Sequence, residues 1–184
     1  MTCVIAIVAG DRTILAGDSF CGEESLSNLC KAPKVYTVGP VGIGISGALR
    51  TEQILEKTLR YHLPRKKKIT HNWLINDLTE IIRKAMKEPG ALTEKDSVSE
   101  FTESSYILTF QNTIYLFEGD FGLWSPARNF AAIGLGRGLA VGALAQCEKR
   151  GWLQKDPERC ALEALEIAAD WSTWVRGPFL VIGA

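Results

Sequence analysis

The chain begins with two apolar stretches that a short polar break separates. Residues 3–9 are almost wholly apolar and rich in β-branched side chains, and residues 13–16 resume that pattern. The Gly-Asp pair at 10–11 is a hairpin turn signal, so we expect a β-hairpin here. Antiparallel pairing brings the start of the first strand beside the end of the second. Thr2 and Asp18 are therefore expected to be neighbours.

Similar apolar stretches predict further strands. Residues 34–38 and 41–47 form a second hairpin around a Gly-Pro turn, and residues 105–111 and 113–118 form a third around a tight Gln-Asn turn. Two short strands are expected near the C-terminal end, at 130–133 and 179–182.

Apolar residues at helical spacing predict four helices. Residues 48–63 and 72–87 each place leucines or isoleucines on one face. A third helix ends near Arg150, and a fourth runs from Pro157 to about Trp171 with Asp156 as its N-cap. Strands and helices thus come in blocks, which favours mixed sheets with helices outside over a doubly wound parallel fold.

Three stretches are predicted to lack regular structure. Residues 19–32 are polar and irregular, and residues 88–103 are expected to form a mobile loop. The glycine-rich stretch 134–138 lacks the spacing of a dinucleotide-binding motif, so a tight strand-to-helix turn is expected instead.

Composition narrows the class of protein. The 184 residues suggest one domain over 1–184, and 21 basic residues balance 21 acidic ones. A nucleic-acid-binding protein usually carries a basic excess, so no nucleic-acid partner is expected. The one basic run, at 65–68, is interpreted as a solvated connector, with an anionic docking patch as the alternative.

The compartment is predicted from what the sequence lacks. No signal peptide and no apolar stretch near the roughly 18 residues of a membrane span is present. The five cysteines have neither CxxC pairs nor metal-ligand spacing, so reduced thiols in a cytoplasmic protein, without metal or cofactor, are expected.

The candidate chemistry lies at the start of the chain. Thr2 is small enough for removal of Met1 to be expected, and its hydroxyl and its own α-amine would then be a nucleophile and a base in one residue. Cys3 should point to the opposite strand face and is interpreted as a buried structural thiol. The chain has only two histidines, so it offers few other nucleophile–base pairs.

The spacing of four residues carries a resemblance to a known family. With Thr2, Asp18, Lys34 and Gly47 in this element order, the chain resembles the N-terminal-nucleophile (Ntn) hydrolases of the proteasome type, notably HslV-like subunits and small bacterial proteasome-related proteins. The resemblance implies an α+β fold, a four-layer αββα sandwich. It also implies a threonine peptidase that assembles into stacked homo-oligomeric rings, with peptide or protein substrates and an ATPase unfoldase as a candidate partner.

The resemblance also implies the role of each residue. Thr2 is the nucleophile, Lys34 lies beside it, Asp18 orients the lysine, and the N–H of Gly47 is the oxyanion donor. A free α-amine has a pKa of about 7.7–8.0, and a nearby ammonium lowers that pKa further. The candidate supporting residues are Ser19, Ser46, Ser172 and Thr173.

One departure leaves the activity open. Relatives commonly place a serine where this chain has Leu135, and leucine has no hydroxyl to support the amine of the nucleophile. The alternatives are a catalytically silent ring or scaffold protein with the same fold, or an amidase that acts on a small-molecule amide.

Overall fold

The computed structural model describes residues 2–23, 26–63, 68–95, 99–102 and 104–184. Met1 and most of the basic run, Arg65 to Lys67, lie outside the described residues, whereas Lys68 is exposed. The strands are β1 (Cys3–Ala9), β2 (Arg12–Gly17), β3 (Phe20–Glu23), β4 (Leu26–Leu29), β5 (Val35–Val38), β6 (Val41–Ser46), β7 (Thr93–Lys95), β8 (Ser99–Phe101), β9 (Ser105–Phe110), β10 (Thr113–Phe117), β11 (Leu123–Trp124), β12 (Phe130–Gly134) and β13 (Leu180–Gly183). The helices are α1 (Leu49–His62), a π-helical segment (Trp73–Leu78) that runs directly into α2 (Thr79–Lys87), α3 (Arg137–Lys149) and α4 (Pro157–Trp171).

The first sheet has the order β12-β1-β2-β13 and is antiparallel throughout. Every residue of β1 is buried, because both of its faces are covered. Cys3 and Ile5 belong to the apolar cluster that α3 and α4 share, whereas Val4 and Ala6 belong to the cluster between the two sheets. Alternate side chains of a strand point to opposite faces, which explains why this run is apolar at every position.

The second sheet has the order β11-β10-β9-β6-β5. Its outer face packs against α1, the π-helical segment and α2. The contacts include Leu55 and Leu59 of α1 and Leu74 and Leu78 of the π-helical segment, all nearly inaccessible to solvent. The layers are therefore helices, sheet, sheet, helices, and the predicted α+β αββα sandwich is confirmed. Within the described residues, no helix combines the length and apolar character needed to cross a bilayer.

The turns and caps follow the sequence signals. Gln111 and Asn112 have φ of 47° and 56°, the left-handed values that a two-residue hairpin turn requires. The carboxylate of Asp156 accepts a hydrogen bond from the N–H of Arg159 at 3.2 Å and caps α4, as predicted. Gly151 has φ of 70° just after α3, which glycine adopts without steric cost.

Two predictions of local structure were wrong. Residues 19–32 contain the β3–β4 hairpin, whose strands are tied at their base by the Cys30 N–H donating to the Ser19 carbonyl at 2.8 Å. Residues 88–103 contain the paired strands β7 and β8 instead of an unstructured loop. These short ladders are held by backbone pairing rather than by an apolar repeat, so their side chains gave no periodic signal. The helix expected over 72–87 is present, and its first part is the π-helical segment.

Candidate active site

The open end of the β1–β2 hairpin gathers the predicted residues. Val4 pairs with Gly17, so Thr2 and Asp18 lie just beyond the last paired residues of the two strands. The Asp18 N–H donates to the carbonyl of Cys3 at 3.1 Å. Thr2 is 3% exposed and Asp18 is 2% exposed. The turn at the far end of the hairpin thus positions Asp18 beside the start of β1.

The carboxylate of Asp18 is the centre of a buried hydrogen-bond network. Its Oδ1 accepts from the Cys3 N–H and from Nζ of Lys34, both at 2.9 Å. Its Oδ2 accepts from the Phe20 N–H at 3.1 Å and, more weakly, from the Arg176 N–H at 3.4 Å. The aspartate side chain is fully buried and that of Lys34 is 9% exposed. Asp18 therefore joins three chain segments and fixes the position of the lysine ammonium.

Gly47 directly follows β6 and has a conformation that only glycine tolerates. Its φ is +151°, and a Cβ built on it would lie 2.6 Å from the Cα of Ser104. The hydroxyl of Ser104 accepts from the Ala48 N–H at 3.2 Å and lies 2.5 Å from the hydroxyl of Thr51. Ser104 thus packs against Gly47 and also binds the next backbone N–H, which holds the backbone in place here.

These residues border one cavity of about 710 Å³. Thr2, Lys34 and Gly47 all line it, whereas Asp18 lies behind the lysine. The remaining lining residues are Phe20, Cys21, Gly22, Asn28, Cys30, Ile45, Ala48, Leu49 and Glu52. Thr2, the cationic Lys34 and the glycine turn therefore border the same space.

The four candidate supporting residues have different surroundings. Ser46 is buried and lines a neighbouring cavity of about 470 Å³ that Gly47 shares. Ser19 donates through its hydroxyl to the carbonyl of Pro178 at 2.6 Å. The hydroxyl of Ser172 accepts from the Trp174 N–H, and Thr173 is exposed. Ser19, Ser172 and Thr173 are not among the described residues that line the larger cavity.

The turn between β12 and α3 packs against the backbone of Thr2. Gly134 has φ of +90°, and a Cβ on it would lie 2.7 Å from the carbonyl carbon of Thr2. The Gly136 N–H donates to the Thr2 carbonyl at 3.3 Å. Leu135, between these glycines, is 62% exposed and lines the neighbouring cavity with Ser46. The glycines are there because the turn approaches β1 closely, which agrees with the predicted strand-to-helix turn.

Two further side chains define the electrostatics of the site. Burial, followed by the charge of Asp18, raises the pKa of Cys3 to about 12, so this buried thiol stays protonated at neutral pH. Burial also raises the pKa of Glu52 on the cavity wall, and the positive charge of Lys34 opposes that rise. Within the described ranges, no group of three or more His, Cys, Asp or Glu is arranged to hold a metal ion.

Several lining residues were not predicted from the sequence. Cys21 and Asn28 reach the cavity through the β3–β4 hairpin, which sequence reasoning missed. Glu52 lies in the first turn of α1, one turn after Gly47, and its position next to the glycine turn is the signal that would have identified it.

Comparisons with known proteins identify the fold. No protein-family profile matches the chain, and no curated protein matches it. Among solved structures it is similar to BPH from Thiobacillus denitrificans (17% identity, TM-score 0.81, 99% of this chain and 97% of that one). It is also similar to HslV from Trypanosoma brucei (21%, 0.70, 98% of each). A third similar structure is the Anbu complex from Pseudomonas aeruginosa, described as a helical assembly (14%, 0.70, 99% and 80%). The chain therefore has a proteasome-like fold.

Proposed function

We propose that the chain is a threonine peptidase of the proteasome type, with Thr2 as the nucleophile after removal of Met1. The observation that carries the proposal is the cavity that Thr2, Lys34 and Gly47 line together, with the lysine held 2.9 Å from Asp18. An N-terminal threonine supplies both the nucleophile and the base, so the chemistry needs no histidine.

In the proposed mechanism, Oγ1 of Thr2 attacks a peptide carbonyl carbon while its proton passes to the α-amine. The carbonyl oxygen becomes an oxyanion and accepts a hydrogen bond from the N–H of Gly47. The α-ammonium then protonates the leaving amine, and an ester between Thr2 and the acyl fragment remains. The same amine accepts a proton from the water that hydrolyses this ester.

Lys34 and Asp18 act on the nucleophile without bonding to the substrate. The ammonium of Lys34 disfavours a second positive charge nearby, so it lowers the pKa of the Thr2 amine and keeps that amine available as a base. Asp18 is a positioning residue, because its carboxylate fixes the lysine from behind. The backbone donors of Cys3 and Phe20 hold the carboxylate itself.

Self-association belongs to the same proposal. The similar Anbu structure is a helical assembly, and this chain exposes large apolar side chains, among them Trp152 and Trp171. We propose that the chain forms homo-oligomers in the cytoplasm. We further propose that these homo-oligomers are stacked rings, to which an ATPase unfoldase delivers protein substrates. Light scattering during gel filtration tests the first part, and a monomer at all concentrations would contradict it.

Peptide hydrolysis by Thr2→Ala and Thr2→Ser variants tests the catalytic proposal. The alanine variant should fold normally and lose hydrolysis, whereas serine should retain a measurable rate because it keeps a hydroxyl. A panel that compares short peptides with simple amides distinguishes the peptidase from the small-amide alternative. Hydrolysis that is unchanged in Thr2→Ala would rule out this mechanism.

The alternative of a catalytically silent protein is favoured by Leu135. Its side chain is 62% exposed where a serine hydroxyl would support the amine, and it offers no hydrogen bond there. If the purified protein forms homo-oligomers and has lost Met1, yet hydrolyses neither peptides nor amides, it is the catalytically silent ring or scaffold protein.

A further inference from the structure

Two cysteines lie together on the wall of the cavity that Thr2 borders. Cys21 is on β3, and Cys30 directly follows β4. Cys21 pairs with Asn28, and side chains two residues apart on a strand share a face, so Cys21 and Cys30 project to the same side of the hairpin. Both cysteines line the cavity.

We propose that Cys21 and Cys30 form a redox-modification site, at which a small disulfide oxidant converts the two thiols into an intramolecular disulfide that reshapes the cavity wall. The proposal that this site exists depends only on the two thiols. The proposal that its oxidation affects hydrolysis also rests on the proposed function.

The reaction is a pair of thiol–disulfide exchanges. The thiolate of Cys21 attacks one sulfur of a small disulfide RSSR, and one RS⁻ leaves, which gives a mixed disulfide on Cys21. The sulfur of Cys30 then attacks the Cys21 sulfur and the second RS⁻ leaves. Two electrons pass from the protein to RSSR, and the two thiol protons end on two RSH molecules.

The environment of Cys30 sets the order of these steps. Burial, reinforced by the neighbouring Cys21 thiol, raises the pKa of the Cys30 thiol to about 11. Cys30 therefore keeps its proton at neutral pH, which disfavours it as the first attacking thiol. The second step is expected to be the slower one, so the mixed disulfide on Cys21 should accumulate before the Cys21–Cys30 disulfide forms.

Closing the disulfide requires the hairpin to move. Cys21 and Cys30 are diagonal positions, which in a regular antiparallel ladder lie about 7–8 Å apart. A disulfide usually holds its Cα atoms about 5.5–6 Å apart. The bond should therefore draw the end of β4 toward β3. Phe20 on the same hairpin also lines the cavity, so the space in front of Thr2 should change with it.

A second thiol pair in the same chain is the matched control. Cys147 on α3 and Cys160 on α4 belong to the same helical core cluster, where they are 5% and 2% exposed. Burial, followed by the neighbouring Cys147 thiol, raises the pKa of Cys160 to about 12. A small oxidant should reach the hairpin pair and leave this core pair reduced.

The test treats the full-length protein with oxidised glutathione and follows intact mass, then maps disulfides in non-reduced peptides. The wild type and a Cys160→Ser variant should each lose two hydrogens through a Cys21–Cys30 bond that dithiothreitol reverses. Cys30→Ser should stop at a mixed disulfide on Cys21, and Cys21→Ser should form no internal bond. A wild type with no Cys21–Cys30 bond, or with a Cys147–Cys160 bond instead, would overturn the proposal.

The consequence for hydrolysis is measured as the ratio of rates before and after oxidation. After oxidation the wild type should hydrolyse its substrate about 10²-fold more slowly, which is the scale of effect that a small misplacement near a reacting centre produces. Dithiothreitol should restore the rate. In Cys21→Ser the ratio should stay near one. An unchanged rate in a fully oxidised wild type would overturn the link to the cavity. A reduced protein without hydrolysis would instead contradict the proposed function, while the disulfide map would still decide the redox site.

Discussion

The two ends of the β1–β2 hairpin differ in how their polar groups are held. At the turn, Gly10 has φ of +64° with open space around it, and Arg12 makes an exposed ion pair with Glu158 at 3.4 Å. At the open end, the Asp18–Lys34 pair is almost completely buried. The same two apolar strands thus connect an ordinary solvated turn to a buried charged pair.

This difference indicates which end has a role beyond folding. A buried ion pair often stabilises a protein no more than apolar residues of the same volume would, because both charges lose their hydration. The hairpin therefore does not need Asp18 and Lys34 in order to pair its strands. Their burial beside a cavity that Thr2 also lines is accounted for by the proposed chemistry at that end.

The largest effect should come from removing one aspartate. Asp18→Ala leaves the Lys34 ammonium buried without its carboxylate and also removes the acceptor of the Cys3 N–H. The free energy of unfolding should fall by about 3–5 kcal/mol, and hydrolysis should be lost. Urea denaturation measures the first and a peptide assay the second.

Asp11 at the turn is the matched control, because it is an exposed aspartate on the same hairpin. Asp11→Ala should change the free energy of unfolding by no more than about 0.5 kcal/mol. Equal losses for the two variants would show that the two ends do not differ in the way described.

The next effect concerns the glycine turn. Gly47→Ala forces a Cβ against the backbone of Ser104, so the N–H at this position must move. Backbone strain should destabilise the protein by about 1–3 kcal/mol. Loss of a well-placed oxyanion donor should lower kcat by about 10²-fold.

Gly10→Ala is the corresponding change at the other end of the hairpin. The added Cβ meets no atom within 4 Å, so the free energy of unfolding should fall only by the cost of an alanine in the left-handed conformation, about 1–2 kcal/mol. The kcat should stay unchanged. If Gly10→Ala lowered kcat as much as Gly47→Ala, the effect of Gly47 would reflect stability rather than chemistry.

A smaller gain is expected from restoring a hydroxyl. Leu135→Ser places a hydrogen-bonding group in the turn that packs against the backbone of Thr2, at an exposed position where little packing is lost. One hydrogen bond contributes about 1 kcal/mol, so kcat should rise about fivefold. Leu139→Ser, at an exposed position in the first turn of α3, is the control and should leave kcat unchanged. A lower kcat in Leu135→Ser would contradict the role assigned to this position.

The smallest effect should be at the exposed ion pair. Arg12→Ala removes a contact between side chains that are 47% and 44% exposed, so solvent screens it well. The thermal unfolding midpoint should reveal a loss of no more than about 1 kcal/mol. A loss comparable with that of Asp18→Ala would remove the distinction between the two ends.

Much of this arrangement was readable from the sequence because it depends on local turns. The turn at 10–11 and two apolar strands were enough to place Thr2 beside Asp18. The neighbouring cavity wall was not readable. The β3–β4 hairpin that carries Cys21 and Asn28 has neither an apolar repeat nor a strong turn signal, and its position depends on Asp18 and on the distant Arg176–Pro178 segment. Contacts over such separations leave no local pattern in a single sequence.

Intact mass of the purified protein with and without the epoxyketone epoxomicin tests the central claim most directly, since one measurement reports both the removal of Met1 and the modification of Thr2. The account predicts a chain that lacks Met1 and carries one epoxomicin adduct, which peptide mapping locates on Thr2 and which Thr2→Ala does not form. A chain that lacks Met1 and remains unmodified, or an adduct that persists in Thr2→Ala, would contradict it.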